Sequence, residues 1–157
     1  MQNELDKNAK LLKLAGDLLN SIIKGLDEVE LGTRKKIMEL CGGTCAEEAL
    51  FGGGDLEIAK GIAEEAVGEE EIIARANREI LWCGPWIRKG NTIQSTCAEC
   101  GCPLVKNNVV DLTGTFCLCS RGWVKSIFET LLEKPVSVEL EKSIGLGDEV
   151  CKFVVNT

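Results

Sequence analysis

Nine of the 157 residues are cysteine, and five of these fall within 23 positions: Cys97, Cys100, Cys102, Cys117 and Cys119. The chemistry that such a cluster suits is soft-metal binding. Zinc takes four thiolate sulfurs at tetrahedral corners, with Zn–S near ~2.3 Å. Two Cys-x-Cys knuckles, Cys100-Gly101-Cys102-Pro103 and Cys117-Leu118-Cys119-Ser120, offer two ligands each. Gly101 permits the tight backbone a Cys-x-Cys chelate needs, and Pro103 stiffens its exit. The expected ligand set is Cys100, Cys102, Cys117 and Cys119, with Cys97 as the substitute for Cys100 or Cys102. An iron–sulfur cluster also uses four thiolates and is the competing metal reading; five unrelated thiols is the non-metal one. A closed four-thiolate zinc site is structural, because zinc catalysis needs an open position.

Three further cysteines invite chemistry. Cys41 and Cys45 lie four apart and would share one face of a continuous helix, as a chelating pair, a redox pair or two core residues. Cys45, just after a helix-capping Thr44, is the better candidate nucleophile, since a helix N-terminus lowers a thiol pKa. Trp82-Cys83-Gly84-Pro85-Trp86 is like the active-site run of thioredoxins, with Trp86 where the second thiol should stand. That chemistry needs two thiols, so thioredoxin activity is not expected. Cys151 falls on the apolar face of a strand and reads as core. Trp82, Trp86 and Trp123 could line an apolar ligand pocket, or fill the core.

Composition narrows the field. Eighteen basic residues against 25 acidic ones leave a net charge of −7, which argues against nucleic acid as a partner. The absence of His removes Ser-His-Asp and Cys-His catalysis and every imidazole metal site. No apolar run approaches the ~20 residues that span a bilayer, and no secretory signal opens the chain. Nine thiols cannot all pair, so a reducing, cytoplasmic location is expected, with thiolates serving metal or redox chemistry.

The elements that must position these residues fall in two parts of a single domain, residues 1–157. Residues 1–81 read as helical. Leu11, Leu14, Ala15, Leu18, Leu19, Ile22 and Ile23 recur at three and four residues. Gly32 breaks the pattern, Thr33 caps a second helix, and Gly42-Gly43 predict its stop. Thr44 with Glu47 forms the capping box of the next. After Phe51-Gly52-Gly53-Gly54, Asp55 caps residues 56–67, and Glu69-Glu70-Glu71 opens a helix reaching about Leu81, its acids complementing the helix dipole. Residues 82–157 read as a zinc-containing α+β part. Short strands flank a Lys89-Gly90-Asn91 turn, Leu104 to Phe116 folds back as a hairpin between the knuckles, and Ser120 caps a helix carrying Val124, Ile127, Phe128, Leu131 and Leu132. Strands follow at Val136–Leu140 and around Cys151, Phe153 and Val155. The fold class is therefore α+β: a helical N-terminal half packed on a small, mostly antiparallel sheet with a Cys-rich zinc hairpin.

The C-terminal third also carries a resemblance. Cys117-x-Cys119-Ser120-x-Gly122-Trp123, Phe128-Glu129-x-x-Leu132, Pro135-Val136-x-Val138-Glu139 and Gly147-Asp148-x-x-Cys151-Lys152-Phe153 resemble the end of the 4-vinyl reductase, or hydrocarbon-binding, domain family, across roughly residues 97–155. That family is related in fold to subunits of the TRAPP vesicle-tethering complex. The cysteine pattern is also similar to uncharacterised proteins near the L-2-amino-thiazoline-4-carboxylic acid hydrolases. The resemblance implies an α+β domain that binds a small apolar or aromatic molecule, often holds Zn2+ through cysteines, and forms homodimers in some members. The expected function is a zinc-containing small-molecule-binding or sensing domain. The alternatives are a cysteine-dependent hydrolase acting on a small sulfur- or nitrogen-containing substrate, through Cys45 or Cys41, and a zinc sensor using that pair as a labile site.

Overall fold

The computed structural model describes residues 2–48, 54–80 and 83–157. In chain order it holds α1 (Gln2–Leu26), α2 (Leu31–Glu47), α3 (Asp55–Glu65), α4 (Glu69–Glu79), β1 (Ile87–Lys89), β2 (Thr92–Cys97), α5 (Pro103–Lys106), α6 (Gly114–Leu132), β3 (Ser137–Lys142), a 3-10 turn at Ile144–Leu146, and β4 (Cys151–Asn156). The class is α+β. The strands form one antiparallel sheet in the order β1-β2-β4-β3. The expected Lys-Gly-Asn turn joins β1 to β2, with Gly90 at φ +60°. Among the described residues no helix is long and apolar enough to cross a membrane.

α6 is the central element, packed between the helical half and the sheet. Val124, Ile127, Phe128 and Leu131 of its apolar face are at most 2% exposed, and they meet Ile62 of α3, Ile93 of β2, and Phe153 and Val155 of β4. Trp86 stacks edge-on to Phe128, ring centroids 4.8 Å apart. On the same side of α6, the Arg121 guanidinium donates twice to the Val138 carbonyl and ties the helix to β3.

Several helix boundaries differ from the sequence expectation. α2 does not stop at Gly42-Gly43 but runs through both to Glu47. The reason is packing: a Cβ on Gly42 would stand 1.9 Å from the Cys119 carbonyl oxygen, and one on Gly122 would stand 2.0 Å from the Glu39 carbonyl oxygen. Two glycines let the backbones of α2 and α6 touch, and this outweighs the propensity penalty of about 1 kcal/mol each. A Lys125–Glu39 ion pair at 2.6 Å spans the same crossing. Thr44 therefore caps nothing; it lies inside α2 and its hydroxyl donates to the Leu40 carbonyl. The cap of α2 is Glu30 rather than Thr33, its carboxylate accepting from the N–H groups of Gly32 and Thr33 at 2.7 and 3.0 Å. Asp55 is the first residue of α3, after Gly54, and instead accepts from the Trp123 indole N–H at 3.1 Å.

The expected zinc hairpin is not a hairpin. Thr113, not Ser120, caps α6 by accepting from the Phe116 N–H, so Cys117 and Cys119 lie inside the helix, and α5 occupies part of the interval expected to fold back as strands. The α1 stripe also packs otherwise than its period suggests. Of the seven apolar residues in it only Ile23 is buried, while Leu11, Leu14, Leu18, Leu19 and Ile22 are exposed. The helix rests on the body through Gly16, pressed to the Val109 carbonyl, and Asn20, which accepts from the Asp111 N–H. The expected Phe51–Gly53 loop and the Leu81 helix end lie outside the described residues.

Two outcomes follow for stability. Gly42→Ala should lower the urea midpoint by the equivalent of about 1–3 kcal/mol or more, whereas its neighbour Gly43→Ala, whose Cβ would meet only Ser126 Oγ at 3.5 Å, should be neutral or stabilising by up to ~1 kcal/mol. Equal destabilisation by both would refute the close crossing. The backbone N–H groups of Gly32 and Thr33 hold the Glu30 carboxyl below the usual carboxylate range. A depressed folded-state pKa adds stability above the unfolded value, lost as pH falls through the folded one. Thermal melts should therefore place Glu30→Gln below wild type at pH 7 and bring the two together as Glu30 protonates in acid.

Candidate metal centre

Three segments bring thiols to one place. The loop before α5 supplies Cys100 and Cys102, the first turns of α6 supply Cys117 and Cys119, and β4 supplies Cys151. All five line a single cavity of about 40 Å3, whose walls also include Leu112, Phe116 and Phe153. The four sequence-predicted ligands thus share one cavity, and they arrive there without a hairpin. Cys97, the substitute, lines the same cavity but is joined to Cys83 in a disulfide with a Cα–Cα separation of 5.1 Å. It is therefore not one of the free thiols, which are Cys41, Cys45, Cys100, Cys102, Cys117, Cys119 and Cys151.

Cys151 is the ligand candidate that sequence reasoning missed. Its alternation with Phe153 and Val155 reads as core, and it does pack partly against the core. In the sheet it is the register partner of Cys97, and it receives a hydrogen bond from the Ile144 N–H at 3.4 Å. The pairing of β2 with β4 across more than 50 residues makes that neighbour, and no local pattern signals it. The start of α6 was detectable: Thr113 precedes an apolar run and is a good cap residue.

The thiols are held in an environment that disfavours charge. Burial pushes the Cys119 thiol far up, and the nearby sulfurs of Cys45, Cys102, Cys117 and Cys41 add to it. Burial raises Cys100 and Cys117 as well. Such groups are neutral thiols at pH 7, and a cation that binds them must displace their protons. Among the described residues, no three Cys, Asp or Glu side chains stand in a geometry that already holds a metal ion. The helix explains part of this. Cys117 and Cys119 are two residues apart on α6 and so project about 200° apart around its axis.

The remaining candidates are placed as follows. Cys41 and Cys45 share one continuous helix, one turn apart, and both residues are exposed. The nucleophile rationale for Cys45 does not hold: it sits near the C-terminal end of α2, where the dipole opposes a thiolate, and burial, then Cys102 and Cys41, push its thiol up. Trp86 and Trp123 are buried core residues at 6% and 5% exposure, and neither lines the thiol cavity. Trp82 lies outside the described residues. A second hollow, an open groove of about 510 Å3 between α2 and α6, carries the charged side chains of Lys36, Glu39, Glu47, Lys125 and Glu129 along its border.

No curated protein matches the chain. Residues 17–156 match DUF6144, a family of unknown function, and on that extent, from the middle of α1 to the end of β4, the chain belongs to that family.

Proposed function

We propose that the protein is a metal-thiolate domain that binds zinc through its cavity cysteines, in a structural or sensing role rather than a catalytic one. The observation that carries this reading is the convergence of five free thiols, from a loop, the start of α6 and a strand, on one cavity of about 40 Å3. A space that small accepts an ion or a water or two, while an organic-ligand site runs to ~300–1,000 Å3. The first ligands to consider are Cys100, Cys102, Cys117 and Cys119. Their soft sulfurs suit zinc, and the resemblance of the C-terminal third to a family whose members hold zinc through cysteines agrees with it.

The apolar-pocket form of the reading has less support, because Trp86 and Trp123 are occupied in packing. The cysteine hydrolase has less still, since burial pushes the Cys45, Cys100, Cys117 and Cys119 thiols away from their thiolates. Bound zinc would link the segment from Glu99 to Pro103, which has little secondary structure of its own, to α6 and β4. That is where its binding energy would be felt as folding energy.

Elemental analysis of protein purified anaerobically should find zinc, and stripping it should lower the melting temperature. At a free zinc concentration 100 times the Kd, restoration should return about 2.7 kcal/mol of stability. Iron with acid-labile sulfide in place of zinc would change the cofactor. Protein that neither carries nor takes up any metal, and melts identically with and without it, would overturn the reading. Cys119→Ser, which removes the thiol most strongly raised by burial, should abolish most of the zinc-dependent rise in melting temperature while leaving the metal-free melting point within a few degrees.

A further inference from the structure

We propose that the seven free thiols form two metal sites rather than one, on opposite sides of the first turns of α6: Cys41, Cys45, Cys102 and Cys119 on the side facing α2, and Cys100, Cys117 and Cys151 on the side facing the sheet. The inference rests on the metal-thiolate reading and changes which cysteines share an ion. Each Cys-x-Cys knuckle sends one sulfur to each site, so neither knuckle is itself a chelate.

Helix phase is the first reason. Cys117 and Cys119 project about 200° apart, so one ion inside the cavity is poorly placed to receive both. The neighbours on each side are the second. Toward α2, Gly42 lies against the Cys119 carbonyl, its Cβ position only 1.9 Å away, which puts Cys119 beside the turn of α2 that runs from Cys41 to Cys45. Cys102 and Cys119 both pack against the cluster that contains Met38, one turn earlier on α2.

Toward the sheet, the 3-10 turn gathers the other set. A Cβ on Gly145 would stand 2.6 Å from the Cys117 sulfur, and the adjacent Ile144 N–H donates to the Cys151 sulfur. Cys117 and Cys151 therefore abut consecutive residues of one turn. Cys100 lines the cavity with both.

Donor counts then fit tetrahedral preferences. Four thiols facing α2 make a closed site, and Cys41 and Cys45, spaced i and i+4, are a natural chelating pair on a helix. Three thiols facing the sheet leave one corner for water or for Glu99, which borders the same cavity. Loading requires the thiols to turn about their Cα–Cβ bonds, since none of the described side chains is yet converged. Each thiolate formed releases its proton to solvent as the Zn–S bond forms, with no change of oxidation state.

Titration of chelator-stripped full-length protein, its Cys83–Cys97 disulfide intact, with zinc and with cobalt(II) under argon tests this. The expected result is two equivalents bound. The double variant Cys41→Ser/Cys45→Ser should retain one, and Cys151→Ser should keep one site intact and weaken the other about tenfold or more. A single equivalent, lost alike in Cys117→Ser and Cys119→Ser and untouched by Cys41→Ser/Cys45→Ser, would overturn the two-site inference while leaving the metal reading standing. Binding of no metal would overturn both. Because serine variants can misfold, the unmodified protein supplies a second measurement: two equivalents of zinc should slow iodoacetamide labelling of the exposed Cys41 and Cys45, whose sulfurs would be held by the metal. Unchanged labelling rates in zinc-loaded protein would overturn the inference.

Discussion

The contact on which the rest of the structure depends is the backbone-to-backbone crossing of α2 and α6 at Gly42 and Gly122. Nothing larger than hydrogen fits on either residue, with carbonyl oxygens about 2 Å from the Cβ positions. That constraint fixes the phase of both helices. It seats Val124, Ile127, Phe128 and Leu131 over the sheet, and it carries Cys41 and Cys45 to the end of α6 where Cys117 and Cys119 project. A separation set by side chains, typically 8–10 Å between axes, would move those sulfurs apart. The cysteines are thus positioned by two residues with no side chains.

The thiol cluster also bears on energetics. Gathering neutral thiols in partly apolar surroundings is inexpensive, because Cys behaves there as a small hydrophobe. Gathering thiolates is not, since burial and mutual repulsion act in the same direction on Cys119, Cys100 and Cys45. Lys106 opposes this at Cys100, but less than burial and the neighbouring sulfurs favour the neutral thiol there. The same ammonium reaches Glu99 at the cavity edge at 3.6 Å, and Lys125 pairs with Glu39. This is a different arrangement from an activated nucleophile, which is supplied with a positive neighbour or a helix N-terminus.

How much of this was legible in the chain differs by element. The strands are, because β2 and β3 alternate in burial, Phe153 and Val155 mark β4 as an apolar strand, and Gly90 marks the β1–β2 turn. The apolar face of α6 is, because Val124 to Leu132 repeats at helical spacing. What fails does so where tertiary packing overrides a local rule. Gly42-Gly43 is a stop signal for an isolated helix and a packing surface in a pair. Ser120 is a good cap type, but Thr113 starts the helix seven residues earlier, which turns a supposed metal knuckle into a helical turn. The α1 stripe has the right period and the wrong partner, since its contact is made by Gly16, Asn20 and Ile23. The four predicted ligands do reach one cavity, because clustering in sequence limits how far they can separate. The contribution of Cys151 depends on strand pairing, which no window of sequence reveals.

The odd number of cysteines takes on a different meaning once the pairs are placed. Taken alone, nine argues that thiols are kept free and hence that the environment is reducing. In the structure Cys83 and Cys97 are joined, so the count divides as two and seven, and the argument from oddness to compartment loses its force. The disulfide has a local role instead. It anchors the segment entering β1 to the end of β2, and the Ser95 hydroxyl, which donates to the Gly84 carbonyl at 2.5 Å, reinforces the same junction. Cys97 is thereby withheld from the cavity it borders. Its register partner Cys151 is left to face Cys117 and Cys100 rather than to form a cross-strand bond, although directly opposed strand residues sit within disulfide reach. Which of its two neighbours Cys97 takes therefore decides whether the sheet side of the cavity presents three thiols or two.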